Sequence, residues 1–298
     1  MSTLLIYAAT VLIWGSTWIM IKFQLGIVPP QVSLVYRFAL AAIALVIFAV
    51  WQQRRLRVPR RYWPMVATQG FFMFSANYYF VYHGTAYVTS GLVAVLFTSL
   101  VFLNAINERV FFRTPISATG LVAGCAAIGG IGLMFWPEIQ SLSLSDDTLK
   151  GIGLVLCGAL MASFGNMAAI RNTRDKLPVV AVNALGMAFG TACSLALALF
   201  NDEQFTMDWS FSYVASLLFL AIPGTAVAFG LYLTLLERIG GTKAAYSSVM
   251  LPVVALIIST LFEGYEWSLL AFIGLIIAVA GNALALAEKP KAAPKRAA

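Results

Sequence analysis

Between residues 77 and 83 the chain reads Asn77-Tyr78-Tyr79-Phe80-Val81-Tyr82-His83, a dense run of groups suited to holding a small molecule. On a helix, Tyr78 and Tyr82 stand four apart and share a face, with Tyr79 on the same side as Tyr82 and His83. Facing a cavity, such rings stack on an aromatic or apolar solute while their hydroxyls fix its polar ends. The alternative is an aromatic belt at a membrane–water interface. Tyr82 and Tyr87 suit the belt; Asn77 and Tyr78 sit deeper and suit a cavity. His83 is the chain's one histidine, and an unperturbed imidazole titrates near neutrality, which admits a proton switch. Its place at the end of the run favours a solvated side chain instead.

Two aromatic-Gly-polar steps form a second group: Trp14-Gly15-Ser16, followed by Thr17 and Trp18, and Ser163-Phe164-Gly165-Asn166. The short polar side chains Ser16, Thr17, Ser163 and Asn166 offer hydrogen bonds, and Trp14 and Trp18, four apart, make one wall. Glycine inside a helix costs about 1 kcal/mol against alanine. Gly15 and Gly165 therefore read either as hinges beside a binding site at the membrane midplane or as points of close helix packing. Pro223 and Pro252 each remove an i→i−4 hydrogen bond and should kink their helices, as hinges or as static bends. Arg37 lies about 9 Å along its helix from Gln31. It reads as a partner for a substrate carboxylate or as a structural cation that snorkels or bonds helix-end carbonyls, and the structural role is favoured.

These groups serve recognition, not bond-making. H-E-x-x-H, G-x-S-x-G and Walker A sequences are missing. A single histidine cannot build a multi-His metal site, and the acids lie in gaps or at span ends. Gly151-x-Gly153 lacks the third glycine of a dinucleotide fingerprint. Cys125, Cys157 and Cys193 show no ligand spacing and read as packing residues. No enzyme activity, cofactor or metal is expected.

The elements that must position these residues are transmembrane helices. Of 298 residues, 61% are hydrophobic and 10% charged, against about 25% charged in soluble domains. Apolar runs fill 4–21, 32–51, 63–82, 91–107, 116–136, 151–170, 179–200, 213–236, 244–262 and 268–287. Each is close to the roughly 20 residues a spanning helix needs, and each is about twice as long as the alternating segments of a β-barrel. The class is an all-α polytopic membrane protein of ten transmembrane helices. Apart from Lys22, Arg37 and Lys150, the 19 basic residues fall in alternate gaps or in the tail. Lys and Arg mark cytoplasmic loops, so both termini are expected in the cytoplasm. The net charge of +7 describes that face. No basic stripe carries the interleaved aromatics of a nucleic-acid binder. No signal peptide is apparent, and residues 288–298, rich in Lys, Ala and Pro, read as a disordered basic tail.

Five spans per half place the halves in opposite orientations, the inverted-repeat plan of many transporters. Weak matches recur in the same order in both halves. The aromatic-Gly-polar steps come first, then Gly84-Thr85 and Gly241-Thr242, then Glu108 and Glu263. Gly120-Leu121 and Gly274-Leu275 close the series.

With Arg37-Phe38, Thr89-Ser90-Gly91, Asn107-Glu108-Arg109, Lys243-Ala244-Ala245 and Pro252, these features resemble the drug/metabolite transporter superfamily in its EamA-type branch. Within it, the chain looks closest to YddG-like exporters of aromatic amino acids. The resemblance implies two inverted five-helix repeats, 1–143 and 144–287, around a central cavity, and export of amino acids or related metabolites across the cytoplasmic membrane. The expected partners are the lipid bilayer and a small-molecule substrate, with no nucleic acid, and the expected state is a monomer. A channel or membrane sensor for a small solute is the alternative, since small polar residues also line pores.

Overall fold

The computed structural model describes residues 1–53, 56–88, 90–140, 145–262 and 267–287, and all their side chains but those of Trp18, Lys22, Ser90, Gly91, Glu138, Ser259, Leu261 and Phe262. The basic tail at 288–298, Thr89 and Glu263 lie outside the described residues. Within them every regular element is helical.

The first helix, α1 (Thr3–Lys22), and α2 (Pro30–Trp51) are joined by a short loop. The next rod is α3 (Trp63–Phe71) running through a π turn, Phe72–Ala76, into α4 (Asn77–Thr85). Then follow α5 (Ser90–Phe97), α6 (Leu100–Phe112), α7 (Ala118–Met134) and the short α8 (Trp136–Gln140). The second half comprises α9 (Asp146–Arg174), α10 (Val179–Phe200), α11 (Phe211–Ala221), a π turn at Ile222–Val227 and α12 (Ala228–Ile239). It closes with α13 (Gly241–Ala245), α14 (Ser247–Phe262) and α15 (Leu269–Ala287). Among the described residues, eight helical stretches are long and apolar enough to cross a membrane. Ala118–Met134 is a shorter apolar helix.

Local sequence sets the helix starts. Ser2, Ser117, Ser145 and Ser210 each accept a hydrogen bond from the backbone N–H three residues on, satisfying a donor that the helix itself cannot. Pro30 opens α2, where its missing N–H costs nothing.

The packing reverses that of a soluble protein. Large apolar side chains such as Leu12, Ile47, Val122, Leu199 and Ile276 point outward, while Arg37, Gln69, Asn104 and Asn166 are buried. An apolar solvent requires this distribution, because an unpaired polar group costs several kcal/mol in hydrocarbon. Cys125 and Cys157 are exposed and Cys193 is half-buried. The expected packing role is thus corrected for the first two: their small apolar thiols sit on the outer surface.

Helix pairing follows a pattern. α1 lies against α11–α12 and α14, while α9 lies against α3–α4 and α5–α6. α2 pairs with α10, and α7 with α15. Glycine admits the closest approaches. A Cβ on Gly130 would stand 2.5 Å from the Ala278 backbone nitrogen, and one on Gly274 would stand 2.5 Å from the Gly130 carbonyl. The same holds at the two aromatic-Gly-polar steps. α1 and α9 run unbroken through Gly15 and Gly165. A Cβ on Gly15 would lie 2.5 Å from Val254 Cβ, and one on Gly165 2.9 Å from Met73 Cβ. Both glycines make room for a neighbouring helix. Among the described residues the α-helical ladder widens at two π turns, one of them at Pro223, whereas α14 continues through Pro252.

Candidate functional site

A central cavity opens between α1, α2, α4, α9, α12 and α14, enclosing about 740 Å³ of atom-free space, open solvent included. Its wall is mostly apolar and aromatic, with Trp14, Tyr78, Phe97, Phe229 and Tyr232, and Arg37 supplies the cation.

Arg37 is 1% exposed. Its Nε donates to Thr225 Oγ1 at 2.9 Å. Nη1 reaches Tyr82 Oη at 3.4 Å and Nη2 reaches Tyr78 Oη at 3.5 Å. The guanidinium carbon stands 4.7 Å from the Tyr78 ring centroid. Among the described residues no carboxylate lies within ion-pair distance of it; Arg171–Asp175 is the ion pair found there. A buried charge needs a partner, and here neutral hydroxyls and ring faces take that place on three sides.

The π turn at Ile222–Val227 builds part of this arrangement. A π turn widens the helix and redirects its carbonyls. Thr225 Oγ1 donates to the Leu220 carbonyl at 2.7 Å, leaving its lone pairs to Arg37. The Gly224 carbonyl accepts from Trp14 Nε1 at 3.1 Å, which fixes the indole in the cavity wall. Trp14 then packs on Phe229 and Tyr232 with centroids 5.0 and 4.9 Å away. On the other side Phe38 meets Tyr78 edge-on at 5.0 Å.

Of the residues singled out in the sequence, Trp14, Thr17, Arg37, Asn77, Tyr78 and Asn166 meet at the cavity. Asn77 Oδ1 is buried without a hydrogen-bond partner. Tyr82 stands one helical turn behind Tyr78 and is fully buried against Arg37. Ser16 bonds the Ile13 carbonyl in its own helix, and Ser163 accepts from Asn107 Nδ2 at 2.8 Å. Neither is part of the wall. His83 Nδ1 donates to the Tyr79 carbonyl at 2.8 Å, away from the cavity. It lies within electrostatic reach of Glu203, whose carboxyl is pushed above its usual range by burial while the His83 charge pulls it back. The Trp18 side chain is outside the described set.

Residues that the sequence did not single out complete the wall: Met73, Phe97, Phe229, Tyr232, Ser247 and Ser248. The spacing of Phe229 and Tyr232, three apart on a helix, was an available signal. Below them, Asn166 Nδ2 donates to Asn104 Oδ1 at 3.3 Å, and Asn104 Nδ2 to the Gly241 carbonyl at 3.3 Å. A second cavity lies beyond, lined by Glu108, Thr242, Lys243 and Tyr246. There Glu108 Oε1 accepts from the Thr242 N–H at 2.5 Å, an acidic cap of the kind that stabilises a helix N-terminus.

Comparison with known proteins places this geometry. A solved crystal structure superposes with a TM-score of 0.76, covering 95% of this chain and 96% of that one at 16% identity, which speaks to the fold alone. Transporter YoaV of Bacillus subtilis, described as uncharacterized, is 24% identical over 251 residues, 82% of this chain and 83% of that protein. The inner membrane transporter YedA of Escherichia coli K12, likewise described, is 26% identical over 273 residues, 91% and 86% of the two chains. PagO of Salmonella typhimurium is 22% identical over 276 residues, 90% and 88%. The EamA-like transporter family model matches residues 1–136 and again 149–287. With helices that suit a bilayer on the outside and a largely aromatic cavity holding a buried cation within, the chain is a multi-pass membrane protein and belongs to the EamA-like transporter family.

Proposed function

We propose that the protein is a secondary transporter that exports amino acids, aromatic or large apolar, or related small metabolites across the cytoplasmic membrane by alternating access. The observation that carries this reading is Arg37: a buried guanidinium without a carboxylate partner among the described residues, facing a cavity walled by aromatic rings. A solute bringing its own carboxylate would complete the charge pair, and its apolar part would lie against Trp14, Tyr78 and Phe229. Asn77, with its unpaired Oδ1, stands ready for an ammonium group.

The two segments matched by one family model support division into repeats at 1–143 and 144–287. So does the exchange of helix partners, with α1 against α11–α12 and α14 as α9 is against α3–α4 and α5–α6. In this reading α3–α4 and α7 are the two further spans, giving ten. The halves are inverted, both termini are cytoplasmic, and the protein works as a monomer in the inner membrane. The cavity then lies where the two halves meet, so that rocking one against the other exposes it to each side in turn.

Proteoliposome counterflow of labelled phenylalanine, tyrosine and leucine tests the reading. Saturable, stereoselective exchange is expected. Non-saturating flux would favour a channel.

A further inference from the structure

We infer that Tyr232 and Asn166 form a second polar subsite at the opposite end of the cavity from Arg37, and that it selects solutes carrying an uncharged hydrogen-bonding group distal to their carboxylate. The inference rests on the amino-acid reading above and adds the feature of the side chain that is sensed.

Thr225, which holds Arg37, and Tyr232 belong to the same rod, seven residues apart. At 1.5 Å per residue they are separated by about 10 Å along the axis. Trp14 and Phe229 fill the interval with ring faces. The cavity is therefore cationic at one end, aromatic in the middle and amide-lined at the other.

Tyr232 is 3% exposed and lines the cavity, yet its hydroxyl completes no hydrogen bond, although the Asn166 and Asn104 amides are its polar neighbours. The orientation of those amides follows from the end of the chain. The Gly241 carbonyl can only accept, so Asn104 turns Nδ2 towards it and Oδ1 towards Asn166. Asn166 must then donate from Nδ2, which leaves its Oδ1 as an acceptor. The subsite thus offers one fixed acceptor and one rotatable hydroxyl. A solute hydroxyl can donate to Asn166 Oδ1 and accept from Tyr232 Oη together. A second carboxylate fits poorly, because Glu108 lies within electrostatic reach of Tyr232 on the side away from the cavity.

The test compares L-tyrosine with L-phenylalanine, which differ by the distal hydroxyl, by equilibrium binding to the purified full-length protein and by counterflow. Wild type is expected to prefer tyrosine by roughly three- to tenfold, the worth of one or two net hydrogen bonds. Tyr232→Phe, which keeps the ring and removes the hydroxyl, is expected to bring the tyrosine-to-phenylalanine ratio to about one, and a cooperative thermal melt in detergent shows that the variant is folded. The same tyrosine-to-phenylalanine ratio in wild type and Tyr232→Phe would overturn the subsite while leaving the amino-acid reading intact. Binding of neither amino acid by wild type would overturn the amino-acid reading, and the subsite with it.

Discussion

Arg37 on α2 and Thr225 in the π turn before α12 are joined by a 2.9 Å hydrogen bond from Nε to Oγ1, so one half of the chain holds the cavity's cation and the other half aims it. Thr225→Val removes the acceptor with little change of shape. A hydrogen bond to a charged group contributes about 1.5–3 kcal/mol, so a clear drop in thermal stability in detergent is expected, together with weaker substrate binding. Arg37→Lys should not rescue, since an ammonium cannot reach Thr225, Tyr78 and Tyr82 with a planar fork. A lysine variant with wild-type transport would refute the assigned role.

Tyr78 offers both a hydroxyl and a ring to Arg37 and packs on Phe38. Tyr78→Ala is expected to lower transport of bulky amino acids about tenfold, from lost cation–π and ring contacts. Tyr78→Phe keeps the ring and should cost much less. Steady-state counterflow kinetics for both variants decide the matter, and wild-type values for Tyr78→Ala would remove it from the substrate path.

Two glycines on α7 provide a contrast two residues apart. Alanine at Gly130 would press on the backbone of Ala278 and Gly274, which cannot rotate away. Gly130→Ala should therefore destabilise by about 1–3 kcal/mol. At Gly132 a Cβ meets nothing within 4 Å, so Gly132→Ala should stabilise by up to about 1 kcal/mol through helix propensity. Thermal melts of the pair should move in opposite directions.

Glu203 supplies a pH signature. Burial raises its carboxyl above the ordinary value of 4.5, against the pull of His83. The native state then binds the proton more tightly than the unfolded chain. Its contribution to stability is full below the ordinary value and is lost as pH rises through the raised native one. Glu203→Gln should flatten that decline in melting temperature, and His83→Gln, which removes the opposing charge, should extend it to higher pH. Equal slopes in all three proteins would show that this carboxyl does not govern the titration.

Much of this was legible in the chain because a bilayer imposes simple rules. Apolar length marks the spans, and the helices from Thr3, Pro30, Val179 and Leu269 begin within a few residues of the expected runs. Tyr78, Asn77, Trp14 and Asn166 were visible as polar or aromatic groups at depth, and they meet in the cavity. What stayed hidden depends on tertiary contact. Nothing in Trp14-Gly15-Ser16 says that Val254 occupies the space beside Gly15, so hinge and packing looked alike. Phe72–Ala76 has no Gly or Pro to announce a π turn. Asn104 and Tyr232 looked like ordinary members of apolar helices until Gly241 and Trp14 were placed beside them.

The two π turns have a mechanical consequence. Each holds one residue more than an α-turn would, and each sits just ahead of a cavity wall: Phe72–Ala76 before Asn77 and Tyr78, Ile222–Val227 before Phe229 and Tyr232. Passing that surplus residue along the helix would turn the following segment by about 100° and shift it by about 1.5 Å. Tyr78 and Tyr232 would then leave the cavity as others took their places, exchanging its lining by a turn and a short slide of the helix, like a key turned in a lock.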